Sequence, residues 1–164
     1  MTMFLKKKFY ILIVCKANVT RSIYMHAYMN KILNRFIFTK KIIIMSAGTN
    51  AVNGSPPHEV IRHVANINKL SINNFKSKQI SSKMIKKANL ILTMEDEQKL
   101  FIVNNFKNAN HKTFKILEYK WNSEERINEN IPDPTGKTTN EYKEFINVAH
   151  NECERILDEV SRLN

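Results

Sequence analysis

The sequence predicts an α/β fold in which a parallel sheet carries helices on both faces. Short continuous apolar runs recur along the chain, each is followed by a segment of helical periodicity, and the runs lack the strict alternation of a sheet with one face in water. Strands alternating with helices in this manner build parallel sheets. Four such runs imply a four-stranded sheet within a single domain spanning residues 1–164. In open sheets of this kind ligands bind at the carboxyl ends of the strands, so the segments that follow the strands are where chemistry is expected.

The first run is Phe9 to Val14, reached through Met1 to Lys8, in which Lys6-Lys7-Lys8 forms a basic lead-in. From Arg21 to Phe36, the residues Met25, Tyr28, Met29, Ile32, Leu33 and Phe36 recur at helical spacing and should face the core. Ile42 to Met45 is a second buried strand that ends in Ser46-Ala47-Gly48. Asn53-Gly54-Ser55-Pro56-Pro57 reads as a loop, and a helix bearing Val60, Ile61 and Val64 follows it. Ser81 or Ser82 offers an N-cap for a short helix, Leu90 to Thr93 makes a third strand, and the acid-rich start from Glu95 suits the positive end of a further helix. Phe114 to Leu117 is the fourth strand. No period runs between Glu118 and Pro134, which predicts a long loop of the kind that carries function. Thr138 and Glu141 have capping-box spacing and open a terminal helix, with Tyr142, Phe145, Ile146, Ala149, Cys153, Ile156, Leu157, Val160 and Leu163 on one face. Cys153, on that stripe, is expected to be structural.

Composition narrows the function classes. At 164 residues and 43% apolar content the chain can bury a substantial core, and no run approaches the ~20 apolar residues of a membrane-spanning helix. A cytoplasmic protein that is not integral to a membrane is expected. Two cysteines do not make a disulfide framework, and with five scattered histidines they give no zinc-ligand spacing, so chemistry without metal or cofactor is expected. The net charge of +11 favours anionic partners. The lysines are nevertheless dispersed among asparagine and isoleucine with no interleaved aromatic and basic motif, so no dedicated nucleic-acid binding is expected.

The stretch Cys15-Lys16-Ala17-Asn18-Val19-Thr20-Arg21-Ser22 joins the first strand to the first helix. A cysteine in that place lies among unpaired backbone N–H groups at the positive end of a helix dipole, which favours thiolate over thiol. The same N–H groups can cradle a phosphate, and the Arg21 guanidinium can grip two of its oxygens at once, as a lysine cannot. The Ser22 hydroxyl is close enough to donate to the sulfur and make it a better leaving group. Taken alone, the pattern also fits a small buried hydrophobe after a strand.

Four segments in order carry a family resemblance: Val14 to Ser22, Ser46-Ala47-Gly48-Thr49, Leu90-Ile91-Leu92-Thr93-Met94-Glu95 and Ile131-Pro132-Asp133-Pro134. Through them the chain resembles the low-molecular-weight protein tyrosine phosphatases, particularly the bacterial group acting on tyrosine kinases of capsule and exopolysaccharide synthesis. The resemblance implies hydrolysis of phosphotyrosine in a protein substrate through a phosphocysteine intermediate. Cys15 would be the nucleophile, Arg21 the phosphate clamp and Asp133 the general acid and base, with Lys16, Ala17, Asn18, Val19, Thr20 and Ser22 around the phosphate. Asn18 matches the family residue that fixes the loop backbone. An autophosphorylated tyrosine kinase is the implied partner. By its own residues Pro132-Asp133-Pro134-Thr135-Gly136 reads first as an ordinary turn; the resemblance reverses this and makes Asp133 an acid.

The chain departs from the family pattern at several positions. Ala17 stands where glycine is usual, and if the position needs positive φ a Cβ costs on the order of 1 kcal/mol. Thr20 replaces a second loop cysteine, so no protective disulfide can form and Cys15 should over-oxidise more readily. Ile23 and His26 replace a proline and a glutamate, and Phe75 replaces a histidine that supports the loop asparagine. Thr135 replaces an aromatic residue that flanks the substrate ring, which predicts weaker phosphotyrosine binding. Lys16 replaces an apolar residue and either contacts an acidic substrate or is simply solvated. The competing readings are a weakly active or inactive phosphotyrosine-binding pseudophosphatase, an arsenate reductase and a phosphocysteine carrier.

Overall fold

The computed structural model describes residues 7–120 and 129–163. Its four strands are β1 Lys8–Cys15, β2 Lys41–Gly48, β3 Leu90–Thr93 and β4 Thr113–Lys115. All pair in parallel, in the order β2-β1-β3-β4. The helices are α1 Arg21–Ile32, α2 Glu59–Ile67, α3 Ser82–Lys87, α4 Asp96–Asn105 and α5 Thr139–Ser161. The alternation read from the sequence is thus the alternation of the fold. The basic lead-in before Lys7 and the middle of the long loop, 121–128, lie outside the described residues.

The central strand shows why both faces must be covered. Successive side chains of a strand point to opposite faces, and in β1 Ile11, Ile13 and Cys15 enter one core with residues of α1, α2 and α5. Leu12 and Val14 enter another with Ile85 of α3 and Ile102 of α4. A strand apolar on both sides reads as a continuous run, which is how it appears in the sequence.

Some boundaries differ from the sequence-based expectation. The periodicity of the first helix runs to Phe36, but α1 ends at Ile32 and a 3-10 turn over Leu33–Arg35 completes the stripe. β4 begins one residue early and stops at Lys115, because the amides of Glu118 and Tyr119 turn back to the Lys115 carbonyl at 3.0 Å. On α2 only Ile61 of the three apolar residues is buried, and Val60 is 41% exposed. Ser81 caps α3 by accepting from the Met84 amide, and the Thr138/Glu141 capping box opens α5 as expected. Cys153 is fully buried on α5, and burial pushes its thiol pKa well up, as a structural residue requires. Among the described residues no helix is long and apolar enough to cross a membrane.

The carboxyl ends of β1 and β3 lie side by side, with Val14 paired to Thr93. Beyond β3, the Ile131 amide donates to the Met94 carbonyl at 2.9 Å. That bond brings the end of the long loop to the same rim as the loop after β1.

Candidate active site

The loop after β1 is held open from outside. The Cys15, Lys16 and Val19 carbonyls accept from the amides of Thr49 (3.0 Å), Asn50 (2.9 Å) and His58 (2.9 Å). A carbonyl and the next N–H of a trans peptide point in opposite directions, so the amides of Lys16, Ala17 and Thr20 turn inward. The Asn18 amide meets the Cys15 sulfur at 3.2 Å. Gly48, paired with Cys15, explains why the second strand ends as it does: a Cβ there would lie 2.4 Å from the Lys16 carbonyl oxygen. This is close approach of backbone to backbone, one of the few things only glycine permits.

The left-handed backbone that the loop needs falls at Asn18, with φ of 56°, and not at Ala17. Asparagine is among the residues that tolerate this region, so Ala17 carries no such strain. Nor does Phe75 leave Asn18 unsupported. Asn18 is fully buried, its Oδ1 accepts from the Lys78 amide at 2.9 Å, and its Nδ2 donates to Ser22 Oγ at 2.7 Å. The Ser22 hydroxyl, already accepting from Asn18, has its proton free for the Cys15 sulfur at 3.0 Å. A directed chain of hydrogen bonds therefore runs from the Lys78 amide to the sulfur. Phe75 packs edge-on against His26, whose Nδ1 pairs with Ser46 Oγ at 3.0 Å. Ile23 is buried, so the altered start of α1 combines apolar packing at Ile23 with the polar contact of His26.

Arg21, the first residue of α1, is only 2% exposed. Its Nη1 donates to Glu95 and, at 2.8 Å, to the Ile131 carbonyl, while Nη2 donates to Asp133 Oδ2 at 3.0 Å. Its buried Nε has no partner among the described residues. Nε and Nη2 present parallel N–H bonds along one edge of the guanidinium, the edge that grips two oxygens of an oxyanion. Glu95 and Ile131 hold the opposite side. Asp133 is half-buried; burial alone would raise its pKa, but Arg21 and the hydroxyl and amide of Thr135 prevail and hold it below the ordinary carboxylate value. Thr135 donates its amide to Asp133 Oδ1 at 3.0 Å and pairs its hydroxyl with that of Thr20 at 2.9 Å. Lys16 is exposed and Val19 half-buried at the rim.

The structure thus brings Cys15, Asn18, Thr20, Arg21, Ser22 and Asp133 together. Four further contributors carry no role in the sequence reading: Glu95, Gly48, the Ile131 carbonyl and the Lys78 amide. Glu95 had a legible signal, a carboxylate just past the end of a strand on the ligand-binding rim. A backbone amide such as that of Lys78 leaves no mark in a sequence.

Residues 10–164 match the family model described as low molecular weight phosphotyrosine protein phosphatase. A low molecular weight protein-tyrosine-phosphatase, Wzb of Salmonella typhi, is 30% identical over 133 residues, 81% of each chain. YfkJ of Bacillus subtilis, of the same description, is 25% identical over 155 residues, 93% of this chain and 96% of that one. In fold, the chain resembles the YwlE arginine phosphatase of Geobacillus stearothermophilus, with a TM-score of 0.81 at 23% identity over 93% of this chain and 92% of that one. It also resembles the tyrosine phosphatase Wzb of Escherichia coli K30 in complex with sulphate, with a TM-score of 0.77 at 22% identity over 92% and 97%. With the family model reaching from the first strand through the last helix, this chain belongs to the low molecular weight phosphotyrosine protein phosphatase family and is a phosphatase.

Proposed function

We propose that the protein hydrolyses phosphotyrosine in protein substrates through a phosphocysteine intermediate. One observation carries the reading: among the described residues the buried Nε of Arg21 is unpaired, beside an Nη2 that donates to Asp133, at the mouth of a loop whose inward amides surround a cysteine. A phosphate dianion satisfies that edge and those amides together. Cys15 attacks phosphorus in line, forming the S–P bond as the bond to the phenolic oxygen breaks, and Asp133 gives its proton to that oxygen. The ionised Asp133 then takes a proton from water as its oxygen attacks phosphorus, and the sulfur leaves as thiolate onto the Ser22 hydroxyl. Arg21 and the loop amides stabilise the equatorial oxygens throughout.

Binding of phosphate also prepares the acid. The incoming dianion takes Nη2 from Asp133 and repels its carboxylate, so a group held ionised in the free protein gains the proton it must donate. The partner we propose, on the family resemblance, is an autophosphorylated tyrosine kinase in the cytoplasm.

The test is release of phosphate, with EDTA present, from p-nitrophenyl phosphate, a phosphotyrosine peptide and a phosphoarginine peptide. Cys15→Ser should abolish turnover, and Asp133→Ala should lower it by about 100-fold to 10,000-fold on the tyrosine peptide. Preference for the arginine peptide would move the substrate class. Binding of phosphopeptide without turnover would replace the reading by a pseudophosphatase.

A further inference from the structure

We propose that Thr20 and Thr135 form a clasp that positions Asp133 over the leaving-group oxygen after phosphate has bound. The inference rests on the phosphatase mechanism above and concerns two residues that both depart from the family pattern.

Thr20 stands at the N-cap of α1, where a threonine hydroxyl ordinarily accepts from a backbone amide of the first turn. Here it makes no capping bond. The hydroxyl reaches instead to Thr135, 115 residues away in sequence, at 2.9 Å, and Thr20 is almost wholly buried. Thr135 passes the connection on, since its amide donates to Asp133 Oδ1 at 3.0 Å. The other carboxylate oxygen is held by Arg21 Nη2. In the free protein Asp133 is therefore tied from both sides.

Substrate binding removes one of the two ties. A phosphate on the Nε/Nη2 edge takes the donor that holds Oδ2, and the turn around Thr135 becomes the means of keeping the carboxyl in reach. Pro134 restricts Asp133 to extended backbone, and Pro132 fixes its own φ, so the loop is stiff within itself. Stiffness does not locate it relative to the sulfur. The bonds of Ile131 to Met94 and Arg21 anchor it before Asp133, and the Thr20–Thr135 bond anchors it after, to the loop that holds the phosphate. Both threonines act through Asp133 as positioning residues.

The experiment compares Thr20→Val and Thr135→Val, which keep side-chain shape and remove the hydroxyl, with Thr20→Ser and Thr135→Ser, which keep the hydroxyl. Each is assayed on phenyl phosphate, whose leaving group needs a proton, and on 2,4-dinitrophenyl phosphate, whose leaving group does not. The valine variants should lose about 10-fold to 100-fold in kcat/KM on phenyl phosphate, which reads formation of the phosphocysteine and not its hydrolysis, part of the acid's full effect. Thr135→Val, outside the loop around the phosphate, should lose less than about 3-fold in kcat/KM on the dinitrophenyl ester and keep the wild-type inhibition constant for inorganic phosphate. The serine variants should return to near wild type, and the double valine variant should be no worse than either single one, because both remove the same bond. Equal losses on the two esters in Thr135→Val, no loss on phenyl phosphate, or failure of serine to rescue would each overturn the clasp. Thr135→Val, in a half-buried loop, serves if Thr20→Val does not fold. Wild-type protein inactive on both esters would refute the phosphatase mechanism, and the clasp with it; wild-type turnover without the selective loss refutes the clasp alone.

Discussion

Gly48→Ala adds one methyl group outside the residues that touch phosphate, and it should disable the loop. The new Cβ would lie 2.4 Å from the Lys16 carbonyl oxygen, 2.9 Å from Ala51 Cβ and 3.0 Å from the Ala17 carbonyl carbon. Comfortable separations between non-bonded carbons begin near ~3.5 Å, so the closest contact overlaps by roughly 1 Å. None of the three atoms is the end of a flexible side chain. β2 cannot recede, since the Gly48 amide and carbonyl are both bonded at 2.9 Å, to Lys78 and Ile80. The Lys16–Ala17 peptide must move, and in moving it strains the 2.9 Å bond that Asn50 makes to the Lys16 carbonyl. Overpacking of this kind costs about 1–3 kcal/mol, and a displacement of about 1 Å in a positioning element costs on the order of 100-fold in rate. Urea denaturation measures the first, and the burst of p-nitrophenol with the inhibition constant of inorganic phosphate measures the second. A variant with wild-type burst rate and phosphate affinity would refute the argument that the backbone of Gly48 shapes the loop.

Two predictions concern pH. His26 is driven down to about 4, first by burial and then by Lys78, against an ordinary value of 6.5. Between those values the unfolded chain binds a proton that the folded chain does not, so stability falls as pH drops from about 6.5 to about 4, by about 3 kcal/mol for this group. His26→Gln, which keeps an amide for Ser46, should flatten that part of the urea-stability profile; an unchanged slope between pH 7 and 4.5 would place the acid sensitivity elsewhere. Asp133 should titrate below the ordinary carboxylate range in the free protein and move upward when phosphate occupies the Arg21 edge. Carbon NMR of the aspartate carboxyls with and without phosphate reads this directly, and a downward or absent shift contradicts the proposed exchange of partners on Nη2.

What was legible in the sequence was whatever depends on near neighbours. The apolar runs that became β1 and β3, the Thr138/Glu141 capping box and the Ser81 cap rest on side-chain periods or on bonds within one helical turn, so they survive any choice of tertiary partners. The Cys15 to Ser22 stretch is legible for the same reason, since a strand, a tight loop and a helix start are consecutive. The structure corrected the reading where a position answers to distant chain. Whether Ala17 or Asn18 takes the left-handed conformation depends on which carbonyls Thr49, Asn50 and His58 bind. Asn18 lost no support to Phe75 because a backbone amide at Lys78, common to every residue type, serves it. The early end of β4 follows from the Lys115 carbonyl turning to Glu118 and Tyr119. Above all, the second carboxylate on Arg21 and the bond from Thr20 to Thr135 arise only when parallel pairing sets the ends of β1 and β3 side by side and the Ile131 amide joins that rim. Those contacts span 74 and 115 residues, and no local period encodes them.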